Sequence, residues 1–171
     1  MCRTDCDNLY LCWCEVVAGQ GKDQPPYIIE KFPHTYNDQE TLNSIPQFVY
    51  PCKIEKREKE VQMFTFVLTA GDSSFMFGFC RHSPNASSAI VIMSHLPWDS
   101  TFSSALNVCA NLQSSENPEN LWSFLKEFYE VPVPLPGESI HFAYPPNNMM
   151  FTSKCPNSST LASIPENVSN L

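Results

Sequence analysis

The sequence predicts an α+β domain in which an antiparallel sheet is covered by helices. Three apolar runs follow one another between Gln62 and Trp98, two of them alternating with a period of two residues, which is typical of a strand meander. Two segments with apolar residues at helical spacing follow, between Ser100 and Val131. Because both faces of this meander are apolar and a bare meander is not stable in water, we expect helices to cover it.

Length and composition favour one folded domain. Of the 171 residues, 43% are hydrophobic and 16% are charged, which suits a packed core and does not suit a disordered chain. The formal net charge of −8 argues against nucleic-acid binding, which needs clustered Lys and Arg. Glu15 interrupts the apolar run near the N-terminus, which argues against a signal peptide, and no run reaches the ~20 residues of a membrane span. We therefore expect a cytosolic protein without a transmembrane segment.

The eight cysteines are predicted to be reduced and buried, because they are scattered through segments that can form an ordinary core. A secreted disulfide scaffold is the alternative. Cys12 and Cys14 would share one face of a strand, and neither they nor Cys2 and Cys6 have the second spaced pair that a zinc site needs. The sequence therefore predicts no metal site and no cofactor.

The N-terminal segment predicts a strand followed by a loop. Apolar residues alternate from Leu9 to Val17, which indicates the first strand. The Gly/Pro/Asp-rich stretch at residues 18–26 is a predicted loop. A short apolar run, Tyr27–Ile29, comes after it.

A short helix and an edge strand are predicted next. Asn37 or Asp38 is placed to cap a helix of one or two turns, which Pro46 is expected to end. The aromatic run Gln47–Cys52 contains a proline and is therefore predicted to be a strand near a sheet edge.

Residues 53–60, KIEKREKE, carry mixed charge ahead of the meander. They contain four basic and three acidic side chains, so their net charge is only +1. We interpret them as a solvated loop, with a membrane- or partner-binding patch as the alternative.

The meander itself consists of three predicted strands. In the first two, over residues 63–68 and 75–80, large apolar side chains occupy every second position, and most of the residues between them are apolar as well. Because side chains two apart share a face, each of these strands has two apolar faces. The turn Gly71–Ser73 separates the two strands. The third, Ala89–Met93, has no polar side, which is typical of an inner strand covered on both faces.

Two amphipathic helices are predicted after the meander. Asp99 or Ser100 is placed to cap the first, and Asn117 and Pro118 are suited to the N-cap and first position of the second. The residues expected to be buried in the first helix are Phe102, Ala105, Leu106, Cys109 and Leu112. Those expected to be buried in the second are Leu121, Trp122, Leu125 and Phe128. The two helices are expected to lie across one face of the sheet.

The C-terminal quarter is rich in proline. Ser139–Tyr144 is predicted to form a further strand, and the rest reads as an extended linker. The sequence thus predicts a module over residues 9–145 and a Pro/Ser/Asn-rich linker over residues 146–171.

No catalytic motif is found along the chain. The four histidines stand singly, and neither a nucleophile motif nor a complete dinucleotide fingerprint is present. We therefore expect the function to be carried by a binding surface. Tyr36, beside the short helix, and Trp98, at a strand-to-helix corner, stand out, with packing of a large aromatic side chain as the alternative.

Five pieces of the sequence resemble the DENN domain, in particular the upstream part of the connecdenn type, in the family's order. They are EKFPHTYNDQE at 30–40, FTFVLT at 64–69, FGFCR at 77–81, SHLPW at 94–98 and LASIPEN at 161–167. The resemblance implies a longin-like fold, an antiparallel sheet of about five strands with helices packed on it. The sequence departs from the family at His95, where an aromatic residue is frequent, and at Pro33–Thr35, where acidic residues are usual.

The resemblance also implies a function. DENN proteins are guanine nucleotide exchange factors for Rab-family GTPases, and connecdenns act at clathrin-coated vesicles and endosomes, so a Rab GTPase is the expected partner. Clathrin or adaptor partners would bind through regions that this chain lacks, and so would the second lobe with which family members complete the GTPase surface. The expected GTPase contacts are Tyr36, Asp38, Gln39 and Trp98. The alternative is a longin-like protein-binding module, or a truncated isoform, without exchange activity.

Overall fold

The computed structural model of the chain describes residues 6–51 and 59–157. Residues 53–58 of the predicted charged loop, the piece at 161–167, Cys2 and Cys52 lie outside the described residues. The elements are, in chain order, β1 (Cys12–Val17), β2 (Tyr27–Phe32), α1 (Gln39–Val49), β3 (Gln62–Thr69), β4 (Phe75–His82), β5 (Ser88–Ser94), α2 (Asp99–Gln113), α3 (Glu119–Glu130), β6 (Ser139–Tyr144) and β7 (Met149–Lys154).

The first five strands form one sheet in the order β2-β1-β5-β4-β3. Every neighbouring pair in it is antiparallel. The meander β3-β4-β5 is therefore confirmed, and β5 lies in the middle of the sheet between β1 and β4. Its run Ala89–Met93 is buried throughout, which confirms the prediction of an inner strand covered on both faces.

Helices cover the sheet on both faces. One face packs against α2, α3 and the β6-β7 hairpin, and its buried side chains include Trp13, Phe79, Ile90 and Ile92. The other face packs against α1, and its buried side chains include Cys14, Phe66, Cys80, Val91 and Met93. This is the predicted α+β, longin-like arrangement, since side chains two apart along each strand share a face.

In helix α2 the residues that are buried are those predicted from its helical spacing. In helix α3 the set of buried residues differs from the prediction at one position. Phe124 is fully buried in α3, whereas Trp122 is half-buried at the margin, where its ring meets that of Trp13 edge-on at 5.9 Å.

The predicted capping of α2 is wrong. Asp99 is the first residue of the helix, and its Oδ1 accepts a hydrogen bond from Thr65 Oγ1 at 3.2 Å instead of capping the backbone.

Helix α1 is longer than predicted. Pro46 lies inside it, so the predicted helix end is wrong. The edge strand predicted at Gln47–Cys52 is also wrong over the described residues 47–51. Proline deprives a helix of one hydrogen bond. Here the burial of Ile45 and Val49 against the sheet keeps the chain helical beyond the proline, because packing of an apolar face stabilises a helix more than local propensity does.

The segment predicted to be an extended linker contains a strand. Over Met149–Lys154 that prediction is wrong, because β7 pairs with β6 in a separate antiparallel hairpin. The turn between them has Asn147 and Asn148 with positive φ of 62° and 49°, a conformation that asparagine tolerates and that suits a tight hairpin. Where the module ends stays a prediction.

Candidate functional site

The connection between β2 and α1 forms an exposed corner of the molecule, which we call the β2-α1 corner (residues 33–40). The backbone N–H of Tyr36 donates to the carbonyl of Pro33 at 3.1 Å, which closes a turn directly after β2. The ammonium group of Lys31, on the last part of β2, donates to the carbonyl of Tyr36. These two bonds tie the corner to the sheet edge.

Asp38 caps α1, and it is one of the two cap candidates, Asn37 and Asp38, that the sequence left open. One carboxylate oxygen accepts from the backbone N–H of Thr41 at 3.3 Å, and the other accepts from the Thr41 hydroxyl at 2.7 Å. Thr41 is itself buried. Asp38 thus satisfies a free N–H group of the first turn and places a negative charge at the positive end of the helix, and both effects stabilise it.

Tyr36 is half-buried against the side chains of the α1 face of the core. Burial and the nearby Cys12 thiol raise the pKa of its phenol above the ordinary value, while the hydrogen bond with the Thr41 side chain acts in the opposite direction. The hydroxyl therefore stays protonated at neutral pH. Tyr36 and Asp38 share Thr41 as a partner, so the corner is held through one buried threonine.

The structure brings three of the four expected contacts together and separates the fourth. Asp38 and Gln39 are exposed beside the half-buried Tyr36. Trp98 is only 4% exposed and packs in the core on the opposite face of the sheet. Its side chain therefore offers no contact area on the described surface.

Sequence reasoning missed the other exposed side chains of the corner, which are His34, Thr35, Asn37 and Glu40. A run of polar residues between a strand and a helix is the signal that could have found them, since loops at such connections carry binding residues disproportionately often.

The described residues hold no group of three or more His, Cys, Asp or Glu side chains that could bind a metal ion. Burial raises the pKa of the Cys80 and Cys109 thiols, so these two are not reactive nucleophiles at neutral pH. No helix within the described ranges is long and apolar enough to cross a membrane.

These features define a class. A covered antiparallel sheet, which presents an exposed polar corner beside a capped helix, defines an α+β domain of the longin-like kind.

The chain belongs to the DENN domain family. The model of the uDENN domain matches residues 26–83, and the model of the DENN (AEX-3) domain matches residues 85–171. The resemblance found in the sequence is thereby confirmed, and the β2-α1 corner lies within the uDENN match.

Several curated relatives are similar to this chain. DENN domain-containing protein 1A of Homo sapiens is 39% identical over 145 residues, which are 83% of this chain and 14% of that protein. The Xenopus laevis protein of the same name is 35% identical over 163 residues, or 94% of this chain and 16% of that protein. DENN domain-containing protein 1B of Mus musculus is 36% identical over 122 residues, or 70% of this chain and 16% of that protein. The chain thus spans about one-seventh of the length of the human relative.

Proposed function

We propose that this chain is the upstream module of a guanine nucleotide exchange factor for a Rab-family GTPase in endocytic vesicle traffic. Membership of the DENN domain family is the observation that carries the proposal. The protein would act at the surface of endocytic vesicles or endosomes. Clathrin or adaptor partners would bind through other parts of a longer protein.

The chemistry of exchange suits a module that acts through a surface. An exchange factor binds the nucleotide-free GTPase more tightly than the loaded form, and by linkage this preference weakens the binding of nucleotide and Mg²⁺. The exchange factor therefore needs a rigid surface that holds the switch segments of the GTPase in a changed conformation, and it needs no nucleophile.

The β2-α1 corner is the surface that we assign to the GTPase. Gln39 is exposed at the first position of α1, where its amide is available as donor and acceptor. Asp38 contributes a carboxylate whose position is fixed by Thr41. Tyr36 supports both by anchoring the turn in the core. Trp98 contributes through the core and not by contact.

The test is nucleotide release from a panel of Rab-family GTPases loaded with a fluorescent GDP analogue. We expect the chain, supplied together with the second DENN lobe of a relative, to accelerate release from at least one of them. The double variant Asp38→Asn, Gln39→Ala should reduce that acceleration, and Glu127→Gln, on the exposed side of α3, should not. Release at the buffer rate for every GTPase, with and without the second lobe, would overturn the proposal.

A protein-binding module without exchange activity is the second candidate. The observation that favours it is the β2-α1 corner itself, because an exposed surface fixed by the bonds between Asp38 and Thr41 can bind a partner without remodelling it. It predicts saturable binding of a Rab GTPase, sensitive to Asp38→Asn, Gln39→Ala, with no acceleration of nucleotide release in any combination.

A further inference from the structure

Strand β3 forms one edge of the five-stranded sheet, and among the described residues only β4 pairs with it. Its eight residues pair with β4 in one continuous register without a bulge. None of them is charged, and none is a proline or a glycine. Natural edge strands are usually protected from further pairing by charged side chains, prolines or bulges. Strand β3 has none of these features, so its outer edge is suited to pairing with another strand.

The opposite edge of the sheet, strand β2, is different. Its ladder with β1 is irregular between Glu15 and Val16, and its own sequence contains Glu30 and Lys31. An irregular ladder and charged side chains are two of the features that protect an edge strand. Of the two edges, β3 is therefore the one that favours a further strand.

The turn between β3 and β4 shows which backbone groups of β3 point outward. The backbone N–H of Ala70 donates to the carbonyl of Ser74 at 2.9 Å, so these residues form a hydrogen-bonded pair of the hairpin. Hydrogen-bonded and non-hydrogen-bonded pairs alternate along an antiparallel ladder, so the even-numbered residues of β3 bond to β4. The N–H and C=O groups of the odd-numbered residues point away from β4, and these residues are Met63, Thr65, Val67 and Thr69.

The sequence of β3 is complementary to itself in the antiparallel orientation. When two copies of β3 pair around Phe66, the outward groups of Met63 lie opposite those of Thr69, and the outward groups of Thr65 lie opposite those of Val67. All four odd-numbered residues thereby find partners. No charged side chain lies within the paired segment, so no like charges stand opposite each other there. A second copy of this chain thus matches the edge.

The centre of this pairing has room for a second strand. The two Phe66 residues would form a non-hydrogen-bonded pair, in which the Cα atoms lie only about 4.5 Å apart. The ring of Phe66 lies over Gly78 of β4, where an added Cβ would be 2.2 Å from its Cζ, and it stacks on Phe48 of α1. Each ring therefore leans toward its own sheet and away from the other copy.

We propose that this chain forms a symmetric dimer in which β3 pairs antiparallel with β3 of a second copy. The two five-stranded sheets then continue as one sheet. Each copy carries a net charge of −8, so the copies repel each other and added salt strengthens the dimer. The inference does not depend on exchange activity, because the β2-α1 corner follows the strand at the opposite edge.

The first test is sedimentation velocity of the 171-residue chain under reducing conditions, over a concentration series that extends to about 1 mM. We expect a reversible equilibrium between monomer and dimer, which shifts toward the dimer at higher salt concentration. A monomer at every concentration would overturn the proposal. So would a dimer that weakens as salt is added, since that behaviour indicates an interface between opposite charges.

Amide hydrogen exchange, followed by NMR, identifies the interface. The amides of Met63, Thr65 and Val67 should exchange rapidly in dilute solution, where the chain is monomeric, and slowly in concentrated solution. The amides of Phe64 and Phe66, which bond to β4, should exchange slowly in both and are the internal control. Slow exchange of the odd-numbered amides in the monomer, or rapid exchange of these amides in the dimer, would contradict pairing through β3.

Two variants of the edge complete the test. Val67→Pro removes an N–H that β4 does not use, so the variant should fold, as circular dichroism will show. The symmetric dimer loses two hydrogen bonds by this change and should dissociate about tenfold more readily. Thr69→Lys, at an exposed position, should also weaken the dimer, because it places a charge on the edge. It decides the question alone if Val67→Pro does not fold.

The matched control is Thr152→Lys, which introduces the same charge at an exposed position of β7. It should dimerise as the original chain does. Dimerisation that is unchanged in the folded edge variants, or that is weakened equally by Thr152→Lys, would exclude the β3 edge as the interface.

Discussion

At the residue scale, Asp38 is the side chain that holds the β2-α1 corner. Both of its carboxylate oxygens bond to Thr41, and the Thr41 hydroxyl also contacts Met76 Sδ at 3.8 Å in the core. The exposed corner is thereby linked to the buried face of the sheet through one side chain. Changes at Asp38 should therefore affect both the stability of α1 and the recognition surface.

We predict that Asp38→Ala lowers the free energy of unfolding by about 1 kcal/mol, the usual cost of removing an N-cap side chain. Asp38→Asn should retain most of that stability, because asparagine also caps helices. Urea denaturation followed by circular dichroism measures both. The control is Gln39→Ala, at an exposed neighbouring position, and equal midpoints for Asp38→Ala and Gln39→Ala would contradict the capping role.

The sequence narrowed the N-cap of α1 to Asn37 or Asp38, whereas for Trp98 it left both surface contact and core packing open. An N-cap is a local property, because the carboxylate bonds to a backbone group three residues ahead. The direction of a large aromatic side chain at a corner depends on which layers lie on each side of it. Those layers, here α2, α3 and the hairpin, form only through long-range packing.

At the element scale, β3 and β4 approach each other closely at one point. Gly78 pairs with Phe66 in the register of the two strands. A Cβ atom at position 78 would lie 2.2 Å from Cζ of Phe66. The Phe66 ring is buried and stacks on Phe48, with a centroid separation of 5.1 Å, so it has little room to move.

We therefore predict that Gly78→Ala destabilises the protein by about 1–3 kcal/mol, as overpacking of a core does. Gly71→Ala is the matched control, because no atom lies within 4 Å of a Cβ at that position. Thermal melts of the two variants provide the measurement. If both variants melt together with the original chain, the close packing of the glycine against Phe66 is wrong.

The β6-β7 hairpin supplies a second prediction for an element. Phe151 is buried against Phe142, Phe124 and Phe128, and Ser153 shares a hydrogen bond of 2.7 Å with Thr101 of α2. Phe151→Ala should lower the free energy of unfolding by about 3–5 kcal/mol, the range for a buried aromatic residue.

The control for that variant is Met150→Ala on the same strand, because Met150 is 61% exposed. It should be nearly neutral in chemical denaturation. A small effect of Phe151→Ala, similar to that of Met150→Ala, would indicate that residues 149–154 are a linker after all.

Elements differed in how far the sequence could predict them. The meander was predictable because its strands carry their period-two pattern locally. The length of α1 was not, since the local signal of Pro46 opposes the helix and the burial of Ile45 and Val49 overrides it. Strand β7 was missed because its buried residues, Phe151 and Ser153, gain their partners only from α2, α3 and β6.

At the scale of the whole molecule, the core buries groups that ionise at alkaline pH. Burial raises the pKa of Tyr50 from 10.0 to about 12 and that of Cys155 from 9.0 to about 11, and it also raises the pKa of Cys80 and Cys109. A group whose pKa is higher in the folded state stays protonated there, while the unfolded chain releases the proton. Stability from these groups is complete below pH 9 and decreases as pH rises.

We predict that the melting temperature is constant from pH 7 to 8.5 and falls progressively between about pH 9 and 12. Calorimetry across this range under reducing conditions measures it. Cys109→Ala should make the slope above pH 9 shallower, although the variant will be less stable at neutral pH because its site is fully buried. A melting temperature that stays constant up to pH 11 would contradict this account.

The layered arrangement of the molecule was predictable from the sequence, and the register between β1 and β2 was not. Two apolar faces on the meander require cover from both sides. The pairing of Glu15 with Glu30 depends on the register between β1 and β2, which shifts by one residue at the irregularity between Glu15 and Val16. A one-residue shift changes which side chains share a face, and the sequence carries no signal for it.

The central claim is that the β2-α1 corner is the part of this module that a GTPase contacts. The most direct test is hydrogen-deuterium exchange of the chain, alone and saturated with a nucleotide-free Rab GTPase that it binds. We predict slower exchange of backbone amides in residues 34–42, with exchange in α2 and α3 unchanged. Unchanged exchange in residues 34–42, with protection confined to α2, α3 or the hairpin, would contradict it.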